Sequence, residues 1–212
     1  MRNNGFKEEN MNIGILGNGV IGNALAEVFH KLGHPVQIGV KSLKEEFEKK
    51  HYIEYVEGKD ITEDNEIIVI AVPGNKVEKA ITGIKNPEGK IFIDLTNPIG
   101  EDFILTRGRY TSNGEVIQEI LKDSHIVKTL NTLGVEKLID PCINEKRLTM
   151  MIAGNNKIAN KKVEELILEM GFDPMIVGDI HFSRYLEPLA MIWIEMVRKQ
   201  GKSFENGLIW IR

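Results

Sequence analysis

Short apolar segments alternate with amphipathic segments along most of this chain. The apolar segments are nearly unbroken runs of Ile, Val and Leu, which is typical of strands buried on both faces of a parallel sheet. They predict strands at 12–16, 36–40, 67–72, 90–95, 125–130 and 147–153, with weaker candidates at 52–56 and 174–177. The segments between them have helical periodicity and predict helices at 21–32, 43–50, 76–81, 114–121 and 157–170.

The order of these elements predicts the fold class. Strands that alternate with helices form right-handed βαβ units, so we expect an α/β fold with a doubly wound, mostly parallel sheet. From residue 183 the pattern is helical only, which predicts a short helical C-terminal segment over residues 181–212. Apolar side chains surround this helix on nearly all sides. It either wedges against a partner subunit, walls a ligand pocket, or packs as ordinary core.

A glycine-rich turn separates the first predicted strand from the first predicted helix. It has the spacing G-x-G-x-x-G, formed by Gly17, Gly19 and Gly22. The first glycine permits a tight turn, the second lets the backbone approach a pyrophosphate, and the third allows close helix–strand packing. Glycines are common in turns, but the preceding strand and the following helix are the context that a dinucleotide site requires. The sequence therefore predicts a Rossmann dinucleotide-binding domain over residues 11–180.

The end of the second strand indicates which dinucleotide is bound. NAD sites place Asp or Glu there to bind the ribose 2′-hydroxyl. This chain reads QIGVKS over residues 37–42, so Lys41 and Ser42 stand where a carboxylate is expected. A cation and a hydroxyl suit a 2′-phosphate, and the missing carboxylate removes a repulsion. The sequence favours NADP over NAD, unless Lys41 is merely a solvated residue.

Three later strands also end in small or polar segments, which read AVPGN, DLTNP and KTLNTLG. Ligands of open α/β sheets gather outside the carboxyl ends of the strands. Pro73 and Gly74 would form a turn against a ribose. The amides and hydroxyls that could fix a nicotinamide carboxamide belong to Thr96, Asn97, Asn131 and Thr132.

Composition narrows the class of protein further. The 212 residues carry a formal net charge of −4, so no global basic surface for nucleic acid is expected. The lone Cys142 cannot form an intramolecular disulfide, and the five histidines have no metal-ligand spacing, so we expect no metal. No stretch is long and apolar enough to span a bilayer. These features predict a cytoplasmic protein with a small-molecule redox cofactor as its partner.

Five segments in order together resemble a known family, the NADP oxidoreductases that use the deazaflavin coenzyme F420, and their bacterial relatives. The chain also resembles the NADPH domain of the transmembrane metalloreductases. The resemblance covers residues 11–200 and implies a Rossmann fold, a short helical C-terminal part and a homodimer. The segments are MNIGILGNGVIGNALAEVFHKLGHPVQIGVKS, IIVIAVPGNKV, GKIFIDLTNPI, IVKTLNTLG and YLEPLAMIWIEMV.

The resemblance also implies roles for individual residues. In the family, the second strand ends in Ser-Arg or Thr-Arg and grips the 2′-phosphate. Val40-Lys41 departs from that pattern, because lysine keeps the charge but lacks the guanidinium fork. The cofactor-binding residues expected from motif and resemblance together are Gly17, Asn18, Gly19, Val20, Ile21, Gly22, Val40, Lys41, Ser42, Ala71, Val72, Pro73, Asn97, Asn131 and Thr132.

Three functions remain as hypotheses. The first is an NADP-dependent oxidoreductase that transfers a hydride between NADP(H) and F420 or a flavin. The second is a small imine or 2-hydroxy-acid reductase, and the third is a non-catalytic NADPH-binding redox sensor or partner-docking module. No catalytic acid or base is identified, since hydride transfer between two stacked rings is mainly a problem of positioning.

Overall fold

Eight strands form one mixed sheet in the computed structural model, which describes residues 10–199, 201 and 206–211. The strands of this sheet are β1 (Ile13–Leu16), β2 (Val36–Val40), β3 (Glu54–Glu57), β4 (Ile67–Ile70), β5 (Ile91–Asp94), β6 (His125–Lys128), β9 (Thr149–Gly154) and β10 (Asp173–Gly178). A separate hairpin consists of β7 (Cys142–Ile143) and β8 (Lys146–Arg147). The helices are α1 (Val20–Leu32), α2 (Val77–Ile81), α3 (Asn113–Ile120), α4 (Val135–Ile139), α5 (Lys157–Glu169) and α6 (Ser183–Arg198).

The strand order confirms the predicted doubly wound fold. It runs β10-β9-β6-β5-β4-β1-β2-β3, and all neighbours from β3 to β6 are parallel. The six parallel strands have the order of the Rossmann sheet, 3-2-1-4-5-6. Strands β9 and β10 extend it as a parallel pair that runs antiparallel to β6.

Two apolar cores lie on opposite faces of the sheet. One packs Leu25 and Phe29 of α1 with Leu138 of α4 and Val163 of α5. The other packs Val77 of α2 and Ile117 of α3 against the remaining face. Strand β4 is fully buried along its length, as its unbroken apolar sequence predicts.

The structure corrects the predicted helix at 43–50, which is irregular. Six of its eight residues are charged, so a helix there would have only Leu43 and Phe47 as an apolar face to bury. The segment instead lies against β3, where Phe47 packs on Tyr55 and the Tyr55 hydroxyl accepts a hydrogen bond from Lys50 N at 3.1 Å. The short helix α4 was not predicted.

The C-terminal segment is helical only in part. Helix α6 ends at Arg198, and residues 206–211 are not helical. The backbone of Leu208 and Trp210 instead bonds Thr149 at the start of β9. Residues 200, 202–205 and 212 of the predicted segment lie outside the described residues. The division of the chain near residue 180 stays a prediction.

Candidate functional site

The central strands end side by side at the carboxyl edge of the sheet. Parallel pairing aligns Gly39, Leu16, Ile70, Asp94 and Lys128 across β2, β1, β4, β5 and β6. The strand order reverses between β1 and β4, which is where ligands of such sheets bind. The segments that the sequence analysis selected therefore all leave the sheet at this edge.

The glycine-rich turn follows β1 and packs against the end of β4. Gly17 has a φ of 120°, a conformation that favours glycine. A Cβ on Gly17 would lie 2.5 Å from the Ala71 carbonyl oxygen, and a Cβ on Gly22 would overlap the Gly17 carbonyl. The protein's own packing therefore requires both of these glycines.

Gly19 differs from its two neighbours in the motif. A Cβ there would meet no protein atom within 4 Å. Gly19 directly precedes α1, no side chain caps the helix, and Val20 is 75% exposed. Helix amides without a side-chain acceptor form a site for an anion. The free space at Gly19 and the uncapped helix thus fit a dinucleotide pyrophosphate.

Asn23 supports this turn, a role that was not predicted from the sequence. Its side-chain amide donates to the carbonyl oxygens of Asn18 at 2.7 Å and Gly19 at 3.1 Å. These bonds hold the loop carbonyls toward the helix. The signal was present in the sequence, since an amide one turn into a helix can bond the residues that precede it.

The residues predicted to bind the 2′-phosphate follow β2. Val40 is buried, so only its backbone borders the edge. The Lys41 side chain is 84% exposed and Ser42 is half-buried. Lys41 and Ser42 are therefore the two side chains of this set that a phosphate could reach.

Two carboxylates from outside residues 37–42 lie near the end of β2. Glu45 Oε1 lies 3.4 Å from Lys41 Nζ. Glu57, at the end of β3, accepts a hydrogen bond from Leu43 N at 3.0 Å. Because both carry negative charge, they oppose the attraction of Lys41 for a phosphate.

The loop after β4 lies against the end of β5. Ala71 and Val72 are half-buried and Pro73 is exposed. A Cβ on Gly74 would overlap the Asn97 carbonyl, so glycine is needed for this close approach. This contact joins two of the predicted cofactor segments into one wall.

Asn97 and Asn131 bond each other across the ends of β5 and β6. The side-chain amide of Asn97 donates to the Asn131 carbonyl at 2.9 Å. The amide of Asn131 donates to Asn97 Oδ1 at 2.9 Å and to the Leu186 carbonyl of α6 at 2.9 Å. The sequence predicted both residues as ligand donors, but most of their hydrogen-bonding capacity is used within the protein.

Backbone geometry fixes the direction of the loop that follows β6. Leu130 is buried with a φ of 57°, an uncommon conformation for a bulky residue. Asn131 and Thr132 follow it and are 6% and 8% exposed. Trp193 of α6 lies against Gly134, so α6 packs on this loop. Such outliers are found where surrounding structure fixes a functional loop.

A fully buried ion cluster lies directly behind the two asparagines. Lys128 Nζ is 2.9 Å from Asp94 Oδ2 and 2.9 Å from Glu187 Oε1, and it also donates to the Thr96 carbonyl. All three charged side chains are 0% exposed. This cluster was not predicted from the sequence. The signal was a charged residue among buried apolar neighbours, in IVKTL and in YLEPLA.

The cluster also connects α6 to the start of α3. Glu187 accepts hydrogen bonds from Asn113 N at 3.2 Å and Gly114 N at 3.3 Å, which are amides of the first turn of α3. Burial would lower the pKa of Lys128, but the two carboxylates outweigh it and raise that pKa. Burial and the nearby Asp94 raise the pKa of Glu187, against the opposing effect of Lys128.

Comparison with known proteins gives the class of this site. Residues 12–98 match the family model described as NADP oxidoreductase coenzyme F420-dependent. A crystal structure from Arthrobacter sp. FB24, named as an F420-dependent NADP-reductase, is 28% identical with a TM-score of 0.88. The match covers 95% of this chain and 100% of that one. The predicted resemblance is confirmed, since the family model and this structure are both named for F420-dependent NADP oxidoreduction.

Two more distant relatives are informative. Metalloreductase STEAP3 of Rattus norvegicus is 24% identical over 182 residues, 84% of this chain and 36% of that protein. The chain thus spans about a third of that curated relative. An imine reductase from Myxococcus stipitatus is 15% identical with a TM-score of 0.61, over 91% of this chain and 64% of that one. That likeness shows the fold alone.

Two other properties concern the described ranges of the chain. None of the helices there combines the length and apolar character needed to cross a membrane. Within the same ranges, no group of three or more His, Cys, Asp or Glu side chains is arranged to hold a metal ion.

Proposed function

We propose that this protein is an NADP-dependent oxidoreductase that transfers a hydride between NADP(H) and a deazaflavin, coenzyme F420, or a flavin-type acceptor. The observation that carries the proposal is the open glycine turn, where Gly19 and an uncapped α1 meet at the point of strand reversal. The nicotinamide ring, when bound, supplies the hydride chemistry.

The glycine turn binds the pyrophosphate in this proposal. The backbone from Gly17 to Gly22, with Asn18, Val20 and Ile21 between the glycines, surrounds the anion, and the helix dipole of α1 favours its charge. Asn23 holds two carbonyls of the turn toward the helix, which keeps the amides available.

The end of β2 selects the phosphorylated cofactor. Lys41 binds the 2′-phosphate and Ser42 adds a hydroxyl, while the backbone of Val40 borders the adenosine. Because Glu45 pairs with Lys41 in the free protein, the phosphate displaces a carboxylate when it binds. We therefore expect a preference for NADP that is weaker than that of an arginine site.

The nicotinamide lies along the other half of the edge. Ala71, Val72 and Pro73 line one side of it in this proposal, and Asn97, Asn131 and Thr132 line the other. The paired asparagines act mainly as a fixed wall, since their bonds to each other and to α6 are already made. The protein positions two rings and excludes water, and no side chain is assigned as an acid or base.

The family description and the name of the Arthrobacter structure support F420 as the acceptor. The test is the rate of NADPH oxidation, followed by absorbance, with F420, FAD, FMN, riboflavin and ferric chelates in turn, and with NADH as the control donor. We expect turnover with F420 or a flavin and slower turnover with NADH.

Other outcomes of this assay favour other functions. Turnover with ferric chelates alone would favour a metal reductase, which is what the name of the rat relative describes. Reduction of a cyclic imine or a 2-oxo acid, but of no flavin, would favour the second enzyme hypothesis. Tight NADPH binding without turnover on any acceptor would favour a redox sensor or docking module.

We also propose a homodimer formed through α6. Apolar residues recur at spacings of three and four, at Phe182 immediately before this helix and at Tyr185, Leu189, Ile192 and Met196 within it, and all of them except the half-buried Leu189 are exposed. This spacing is typical of paired helices. Substitution of Ile192 by Glu should give monomers in light scattering, whereas Ile158→Glu, at an 81% exposed residue of α5, should not. The cytoplasmic location expected from the sequence stays a prediction.

A further inference from the structure

The charges of the buried cluster do not balance. One ammonium group, on Lys128, faces two carboxylates, on Asp94 and Glu187, so the ionised cluster carries one surplus negative charge. The other carboxylate oxygens accept from backbone amides, including Thr96 N on Asp94 Oδ1 at 2.8 Å. Amides at the start of α3 stabilise an anion but carry only partial charge.

Among the described residues, the hydrogen bonds and ion pairs of these three groups include no second cation. The guanidinium of Arg107 donates to Asn113 Oδ1 at 2.6 Å and is itself paired with Glu78. Burial is the main reason why the pKa of Glu187 is raised, and the nearby Asp94 raises it further, against the opposing effect of Lys128. Because all three groups are fully buried, salt screens their field only weakly.

The cluster lies next to the paired Asn97 and Asn131, which line the nicotinamide in the proposed function. Asp94 is the last residue of β5 and Asn97 lies three residues beyond it, and Lys128 is the last residue of β6 and Asn131 lies three residues beyond it. The Asn131 amide bonds the carbonyl of Leu186, the residue next to Glu187. A charge at this position acts on whatever ring lies against the two asparagines.

We propose that the buried Asp94–Lys128–Glu187 cluster favours the oxidised, positively charged nicotinamide over the reduced, neutral ring, and so sets the relative affinities of the protein for NADP⁺ and NADPH. The inference rests on the proposed function, which places the nicotinamide at this wall. These three are positioning and charge-setting residues without direct contact to the cofactor. By linkage, a cofactor that binds more tightly as NADP⁺ than as NADPH is a stronger hydride donor when bound than when free.

The test compares the dissociation constants of NADP⁺ and NADPH by calorimetry at fixed pH. Glu187→Gln keeps the shape of the side chain and an oxygen for the amides of α3, but it removes the surplus charge. We expect the ratio Kd(NADP⁺)/Kd(NADPH) to rise about fivefold, the size of a unit-charge interaction across a partly buried gap. Asp94→Asn leaves a balanced Lys128–Glu187 pair and should give the same change.

Glu115→Gln is the matched control. Glu115 also connects α3 to α6, through Arg184 at 2.6 and 2.8 Å, and its loss changes the net charge by the same amount. Its charge is already balanced by that arginine, so the ratio should stay within about twofold of the wild type. In the wild type itself, the ratio should be nearly independent of salt, because the charge is buried.

The outcomes separate this inference from the proposed function. If Glu187→Gln weakens the binding of NADP⁺ and of NADPH equally, the cluster is purely structural and the inference is wrong. A wild-type ratio Kd(NADP⁺)/Kd(NADPH) that decreases strongly with salt concentration would also overturn the inference. An equal change of ratio in Glu115→Gln would overturn it too. If the wild-type protein binds neither nucleotide, the proposed function itself fails.

Discussion

The glycine turn and the asparagine wall, formed by the paired Asn97 and Asn131, lie at the same edge of the sheet but are built in opposite ways. At the turn, Gly19 faces open space and α1 has no side-chain cap. At the wall, Asn97 and Asn131 bond each other and α6, and the Lys128 cluster behind them is fully buried. The glycine turn has backbone amides without a side-chain acceptor, whereas few hydrogen-bond donors of the asparagine wall are unused.

This difference separates binding from stability. A ligand completes the hydrogen bonds of the turn, so changes there should alter affinity with little effect on folding. The wall is complete without a ligand, so changes there should first lower the free energy of unfolding. The substitutions below test that contrast, beginning with the largest expected effect.

Gly19→Val should weaken NADPH binding by at least about 100-fold, because the side chain would occupy the space assigned to the pyrophosphate and block several charge-assisted bonds. The fold should remain, since no protein atom lies within 4 Å of the new Cβ. Calorimetric titration and thermal unfolding measure the two effects. Gly108→Val, which also faces open space, is the control and should keep normal affinity.

Gly22→Val sharpens the same test, because its Cβ would overlap the Gly17 carbonyl. It should lower stability as well as affinity. If Gly19→Val bound NADPH normally, the assignment of the pyrophosphate to this turn would be wrong.

Lys41→Asp should reduce the preference for NADPH over NADH by about 1.5–3 kcal/mol, the range for a hydrogen bond to a charged group. The measured quantity is the ratio of the two dissociation constants. Lys146→Asp, on the exposed hairpin, makes the same change of charge elsewhere and should leave the ratio unchanged. A constant ratio in Lys41→Asp would remove Lys41 as the phosphate partner.

Glu45→Gln tests the same corner in the opposite direction. Its carboxylate lies 3.4 Å from Lys41 Nζ, so its removal should strengthen the preference for NADPH. The effect should be small, about 1 kcal/mol or less, because the pair is exposed.

The same contrast explains what the sequence could predict. The turn is local: Gly17, Gly19 and Gly22 lie within six residues, between a strand and a helix that their own periodicity reveals. The doubly wound, mostly parallel sheet could be predicted from the alternation of strands and helices. By contrast, Asn97 and Asn131 are 34 residues apart, and Lys128 and Glu187 are 59 apart. Only tertiary packing brings these pairs together, so their bonds could not be predicted from spacing.

The incorrect helix at 43–50 has a related cause. Its residues favour helix individually, but helices in proteins are stabilised mostly by burial of an apolar face. Phe47 is the one residue of this segment that packs on an aromatic ring of β3 in the described structure. Local propensity was therefore overridden by contacts with residues that come later in the chain.

Asn131→Ala should lower the free energy of unfolding by about 1–3 kcal/mol, because buried acceptors on Asn97 and Leu186 lose their donor. Urea unfolding measures this. Asn12→Ala, at an exposed residue that bonds the Asp64 carbonyl, is the control and should cost less than about 0.5 kcal/mol. A strong loss of NADPH affinity with unchanged stability would contradict the view of Asn131 as part of a prebuilt wall.

The smallest expected effect is the pH dependence of the contact between α3 and α6. Burial would raise the pKa of Glu115, but its bonds to Arg184 and Ser112 outweigh burial and lower that pKa below its ordinary value of 4.5. A carboxylate with a lowered folded-state pKa adds stability above its unfolded pKa and loses it as the pH falls through the folded value. Glu115→Gln should therefore be less stable than the wild type at neutral pH, by about 1 kcal/mol or less.

The two proteins should converge as the pH falls below 4.5 and through the lowered folded-state pKa of Glu115, because the wild-type carboxyl then becomes protonated. Urea unfolding at several pH values measures the convergence, with Glu164→Gln as the control, since Glu164 pairs with Lys161 on α5 away from the site. A difference that stays constant with pH would mean that Glu115 stabilises the contact by shape and not by charge. In either case the affinity for NADPH should change little. This separates the contact between α3 and α6 from the open turn at Gly19, where substitutions should change affinity.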